Sequence, residues 1–123
     1  MENKEFSLKL ELRTKKFAIA IIKLSISLSN NPEGKVIKNQ ISKSGTSIGA
    51  NYREANRSRS KADFANKIRI CESEASETIY WLEIIEELNM IDVVKWQTIW
   101  NEAKEILAIF TSISNKLKEN TNK

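Results

Sequence analysis

The chain has 123 residues, 41% of them hydrophobic and 29% charged, with a formal net charge of only +4. That balance excludes a disordered chain, and the length is that of one domain spanning residues 1–123. Histidine is absent, which excludes Ser-His-Asp and Cys-His nucleophiles, histidine-ligated zinc and the Glu-x-x-His di-iron site.

Three glycines and one proline are too few breakers for many short strands, so long helices are expected. The first covers about residues 7–29. Leu10, Phe17, Ile21, Leu24 and Leu28 recur at steps of seven, four, three and four, one face of a helix. Ile19, Ile22 and Ile26 are expected to widen that face until it touches two neighbours. Its apolar run "FAIAII", residues 17–22, is far shorter than the roughly 20 residues that span a bilayer. Lys23 and several serines interrupt the segment, and no small-residue cleavage site follows, so it does not read as a signal peptide. Together with the lone Cys71, which has no partner for a disulfide, this predicts a cytoplasmic protein with no membrane association.

"SNNPEG" breaks the pattern, and a second helix follows over about 35–57. Ile37, Ile41, Ser44, Ile48, Tyr52 and Ala55 keep the three-four spacing. Gly45 and Gly49 lie beside that row with Ser42 one turn earlier. Each helical glycine costs up to about 1 kcal/mol relative to alanine, so a compensating close approach of another helix is expected here. That helix is either a neighbour in the same bundle or one from another subunit. The stretch is no phosphate loop: Lys43-Ser44-Gly45 inverts the order such a loop needs, and no strand precedes it.

A third helix is expected over about 61–89, opened by Ser60 with Asp63 three residues on. Its seam is Phe64, Ile68, Cys71, Ala75, Thr78, Leu82 and Ile85, widened by Trp81, Ile84 and Leu88. After "NMID", with Asp92 as a cap, a fourth covers about 92–118. Its seam of Trp96, Ile99, Ala103, Ile106, Phe110, Ile113 and Leu117 alternates three and four without a fault. Residues 1–6 and 119–123 are expected to fray. Segments of roughly 23–29 residues make rods of about 35–43 Å, and short connections make neighbours antiparallel. The predicted fold is an all-α, up-down-up-down four-helix bundle.

Charge is polarised inside this chain. Residues 35–69 hold nine basic residues (Lys35, Lys38, Lys43, Arg53, Arg57, Arg59, Lys61, Lys67, Arg69) against Glu54 and Asp63. Residues 70–105 hold nine acidic residues against Lys95 and Lys104. One reading pairs basic with acidic helices, within or between subunits, for a few tenths of a kcal/mol per exposed pair. The other makes Arg53, Arg57, Arg59, Lys61, Lys67 and Arg69 an electrostatic footprint for nucleic acid, arginine forking onto phosphate oxygens. Glu74/Glu77, Glu83/Glu86 and Glu102/Glu105 have the spacing that puts two carboxylates on one face, the minimum for a Mg²⁺ site. Such pairs are common in any Glu-rich helix, and no catalytic residue, metal or cofactor is assigned. Trp81 and Trp96 read as packing residues.

The run "SGTSIGANYREANRSRSKADFANKIRICESEASETIYWLEIIEEL", residues 44–88, resembles the 23S ribosomal RNA intervening-sequence protein family. In that family an S-x-x-S-I-x-A-N-x-x-E-A segment precedes S-K-x-x-F and E-A-x-E-T-x-Y-W-L. Here Ser44, Ser47, Ile48, Ala50, Asn51, Glu54 and Ala55 supply the first; Ser60, Lys61 and Phe64 the second; and Glu74, Ala75, Glu77, Thr78, Tyr80, Trp81 and Leu82 the third. The two final pairs also resemble the E-x-x-E…E-x-x-D set of all-α nucleotide pyrophosphatases, but without its Asp. The family resemblance implies a compact bundle from a bacterial gene, assembled into a ring, typically a homopentamer, of largely unestablished function. A similar bundle, the accessory variability protein of diversity-generating retroelements, forms a basic pentamer that binds nucleic acid and a reverse transcriptase. The expectation is therefore a non-enzymatic homo-oligomer that binds structured RNA or DNA. The alternatives are a protein-interaction module and, third, a Mg²⁺-dependent nucleotide hydrolase.

Overall fold

Asn3, Asn31, Ser60 and Asp92 each stand just before an apolar-periodic run, and each caps a helix. Their side-chain oxygens accept the N–H of Phe6 (2.8 Å), Gly34 (2.7 Å), Asp63 (3.0 Å) and Lys95 (3.2 Å). A cap of this kind is worth about 1 kcal/mol, because it satisfies an N–H that the helix leaves without a partner. In the computed structural model, which describes residues 3–121, the helices are α1 (Lys4–Ser27), α2 (Pro32–Ala55), α3 (Lys61–Glu87) and α4 (Val93–Thr121).

Two starts fall earlier than the periodicity predicts. Asn3 captures the first turn of α1, so residues 4–6 are helical. Pro32 sits in the first turn of α2, where its fixed φ suits the helix and its missing N–H costs nothing. The same "SNNPEG" that ends α1 thus begins α2. Residues 119–121 are also helical, against the expected fraying, while residues 1, 2, 122 and 123 lie outside the described residues. Between α3 and α4, Asn89 takes φ 52°, a left-handed conformation asparagine tolerates, and the Met90 N–H bonds the Ile85 carbonyl at 3.1 Å.

Each helix packs antiparallel on its neighbour in sequence, and α1 closes more lightly against α4. There is no strand among the described residues. The core takes Leu10, Phe17, Ile21 and Leu24 from α1 and Leu28 just after it, the Ile37-to-Ala55 row from α2, and Phe64, Ile68, Cys71, Ala75, Ile79, Leu82 and Ile85 from α3. From α4 it takes Trp96, Ala103, Ile106 and Phe110, with Ile99, Ile113 and Leu117 half-buried. Tyr52 and Phe110 meet edge-to-face across the diagonal, centroids 5.4 Å apart. Trp96 is a core residue whose Nε1 donates to the Leu82 carbonyl at 2.7 Å. Trp100 stacks on it at 4.9 Å, and Trp81 lies half-buried.

Ile19, Ile22 and Ile26 do not widen the core face. They are 45%, 44% and 75% exposed. At 100° per residue they point roughly opposite the Leu10–Leu28 row, so no second helix of the bundle can reach them. The sixth place in the inner row belongs instead to Thr14, fully buried, whose hydroxyl donates to the Leu10 carbonyl at 2.9 Å.

Candidate nucleic-acid interface

The α2–α3 turn is held by its own backbone. The Arg57 N–H bonds the Glu54 carbonyl at 3.0 Å, the Ser58 N–H bonds the Ala55 carbonyl at 3.1 Å, and the Ser58 hydroxyl donates to the same carbonyl at 2.6 Å. Ser60 then caps α3. The Arg57 and Ser58 N–H groups are thus paired, and the arginine side chains face water. Arg57, Arg59 and Lys61 are exposed, and none has an ion-pair partner among the described residues. Arg53 is partly engaged: its Nε lies 3.7 Å from Glu11 Oε1, while Asn56 donates to the other oxygen of that carboxylate at 2.9 Å.

The six basic residues named from sequence do not form one patch. Arg53 and Arg57 line a shallow cleft of about 430 Å³ between α1 and α2, with Lys15 and Gly49. Arg59 sits on the turn and Lys61 opens α3. Lys67 is half-buried along α3. Arg69 lies round the helix from it, in a groove between α3 and α4 beside Glu72, Glu77 and Tyr80. Antiparallel packing supplies what the sequence order hides: Lys116 and Lys118, in the last turns of α4, reach the same end of the bundle, and Lys116 lines a cleft with Phe64. Glu5, Glu11, Glu54, Asp63 and Glu119 share this end, and with Lys4 and Lys9 counted the basic groups outnumber them. The cleft itself, about 580 Å³, is mostly apolar, with Phe6, Ile109, Ile113 and Leu117 on its walls.

Ser42, Gly45 and Gly49 face α1 of the same chain. A Cβ on Gly45 would sit 2.7 Å from Ile21 Cγ2, and one on Gly49 would sit 3.0 Å from Thr14 Oγ1. Ser42 donates to Ser25 Oγ at 2.9 Å. The small-residue face lets α1 and α2 approach closely.

The carboxylate pairs are used differently. Glu102 takes a two-pronged grip from Arg13, whose Nε and Nη2 donate to its two oxygens at 2.7 Å each; Glu105 stands 3.5 Å from Nη2. The hydrogen bond to Glu102 raises the Arg13 pKa above its ordinary value, so the pair stays charged. Glu74 is pushed upward by partial burial and then by Glu77, with Lys43 and Ser47 acting against the shift. No group of three or more Cys, Asp and Glu comes together among the described residues. None of the described helices is long and apolar enough to cross a membrane.

Residues 7–112 match the model of the 23S rRNA-intervening sequence protein family. A crystal structure from Bacteroides thetaiotaomicron VPI-5482, described as a protein with unknown function from the S23 ribosomal protein family, is 40% identical with a TM-score of 0.79; the match covers 85% of this chain and 96% of that one. No curated protein matches.

Proposed function

The chain belongs to the 23S rRNA-intervening sequence protein family, and from that premise we propose that it is a non-enzymatic, homo-oligomeric accessory protein that binds structured RNA or DNA through the basic end of its bundle. The observation that carries this reading is the exposure of Arg57, Arg59 and Lys61 at a turn where the Arg57 and Ser58 N–H groups are already bonded. On a turn whose backbone is ordered, only side-chain freedom is lost when a guanidinium grips phosphate, and its planar fork limits the loss per hydrogen bond formed. Lys116 and Lys118 broaden the footprint from an adjacent helix. Repeating a modest positive end around a ring would multiply weak contacts into useful avidity. Five copies is the number the family resemblance implies. A cytoplasmic location belongs to the same reading, as does a non-catalytic role: histidine is missing, and Arg13 occupies the Glu102 carboxylate with Glu105 beside it.

Gel-shift titrations against duplex DNA and a ribosomal RNA helix, run across a salt series, test it. Affinity should fall steeply with salt. Arg57→Ala with Arg59→Ala should flatten the log–log slope by about 0.9 for each duplex-DNA phosphate no longer neutralised, about 2 if both arginines grip phosphate. No shift at low salt would remove the proposal. Hydrolysis of a nucleoside triphosphate with Mg²⁺, abolished by Glu83→Gln, would replace it with the enzymatic reading.

A further inference from the structure

Helix α1 carries two apolar seams of identical spacing. The inner one, Leu10, Thr14, Phe17, Ile21, Leu24 and Leu28, steps four-three-four-three-four and is buried. The outer one, Leu8, Leu12, Lys15, Ile19, Ile22 and Ile26, takes the same steps two residues out of phase. Its five apolar members are 44–75% exposed. Strict four-three alternation is the pattern of a helix packing on other helices, and one lysine among the seam positions is a known device for fixing register. A lipid-facing helix would show a broader apolar face than this narrow stripe.

The rim of the outer seam is basic. Lys9, Lys16 and Lys23 recur at seven-residue intervals. Lys9 is paired with Glu5 at 3.1 Å, whereas Lys15, Lys16 and Lys23 have no ion-pair partner among the described residues. A face of complementary character exists on the same chain. Between α3 and α4 runs an open groove of about 730 Å³, lined by Ser73, Ser76, Leu107 and Thr111, with Glu72 and Glu77 among its walls and Arg69 and Tyr80 bounding it along α3. Between Arg69 and Tyr80 the small side chains of Ser73 and Ser76 leave room for apolar knobs. Glu83 and Glu87 continue the acidic side of α3 beyond the groove, both exposed.

The levels also agree. Thr14 packs on Gly49, next to Ile48, whose carbonyl receives Cys71 Sγ at 3.4 Å; Ile21 packs on Gly45, next to Ser44, which meets Thr78 at 3.0 Å. Thr14 is therefore level with Cys71, and Ile21 with Thr78. Copies set side by side about an axis parallel to the bundle keep these levels, bringing Lys15 opposite Glu72 and Ile19 opposite Ser76.

We infer that the outer seam of α1 in one copy docks into the α3–α4 groove of the next, with Lys15 meeting Glu72. This rests on the reading of the protein as a homo-oligomer and names its contact surface. The contact is head-to-tail, and the two surfaces do not lie on opposite sides of the molecule, since α4 is both the neighbour of α1 and a wall of the groove. Successive copies therefore turn and can close a ring.

Light scattering on the full chain, with circular dichroism to verify folding, tests the inference. Wild type should give a multiple of the chain mass. Ile19→Ser with Ile22→Ser, both on exposed positions, should weaken association at least tenfold and give the monomer mass where wild type is assembled. Lys15→Glu and Glu72→Lys should each dissociate the assembly, and their combination should restore it. A wild-type monomer at every concentration would overturn the oligomeric reading itself, and this inference with it. An intact assembly in the Ile19→Ser/Ile22→Ser variant, or no rescue in the double charge swap, would overturn the inference alone. A monomer that binds phosphatidylserine vesicles through Ile19 and Ile22 would overturn it in favour of a lipid surface.

Discussion

The inner and outer faces of α1 have the same spacing and nearly the same composition, yet one is core and the other is open to solvent. Ile21 is fully buried because Gly45 opens a hollow for it, while Ile26 is left 75% exposed. The difference shows that an apolar stripe states only that something should cover it. What covers it is decided by the opposing surface: the small residues of α2 for one face and, on the docking inferred for this protein, another copy for the other.

The largest expected effect separates the two faces directly. Ile21→Ala should cost about 2–5 kcal/mol in denaturant unfolding, through reduced burial and a residual cavity. Ile26→Ala, measured at concentrations where the chain is monomeric, should stay within about 0.5 kcal/mol of wild type. Similar losses at both positions would erase the distinction.

A smaller effect sharpens the reason. Gly45→Ala places a methyl 2.7–3.0 Å from Ile21 Cγ2, Cγ1 and Cβ, the β-branched base of that side chain, which is stiff about χ1. Overpacking of this kind costs about 1–3 kcal/mol and should outweigh the gain of up to about 1 kcal/mol in helix propensity. Combined with Ile21→Ala the penalty should shrink, so a double-mutant cycle should report coupling between the two sites. Additive losses would mean that the glycine serves another purpose.

The smallest effect lies where α2 meets α3. Burial and Glu77 raise the Glu74 pKa in the folded chain above its ordinary 4.5, so the native state binds more protons there than the unfolded state. Stability contributed by this group is therefore present below the ordinary value and lost as pH rises through the raised one. Glu74→Gln should raise the thermal midpoint slightly at pH 7, and the gain should vanish toward pH 4. An equal difference at both pH values would show that ionisation is not involved.

Most of the architecture was legible in the sequence because the seams of α2, α3 and α4 each have one dominant face, and because Ser60 and Asp92 mark their helix starts. The second face of α1 was not, because Ile19 and Ile22 sit within an apolar run and spacing alone does not say which of two seams a bundle will bury. The basic site was legible only in part. The run from Arg53 to Lys61 is local in sequence, whereas Lys116 and Lys118 join it solely through antiparallel packing, and Arg69 leaves it because helical rotation carries it into another groove.

If α1 is covered on both sides in the assembled protein, its outer seam must become inaccessible as copies associate. A cysteine introduced by Ile22→Cys tests this most directly, with the fully buried Cys71 as the reference within the same molecule. Its rate of reaction with a thiol reagent should fall toward that of Cys71 as protein concentration rises. Rapid labelling at every concentration would contradict the account.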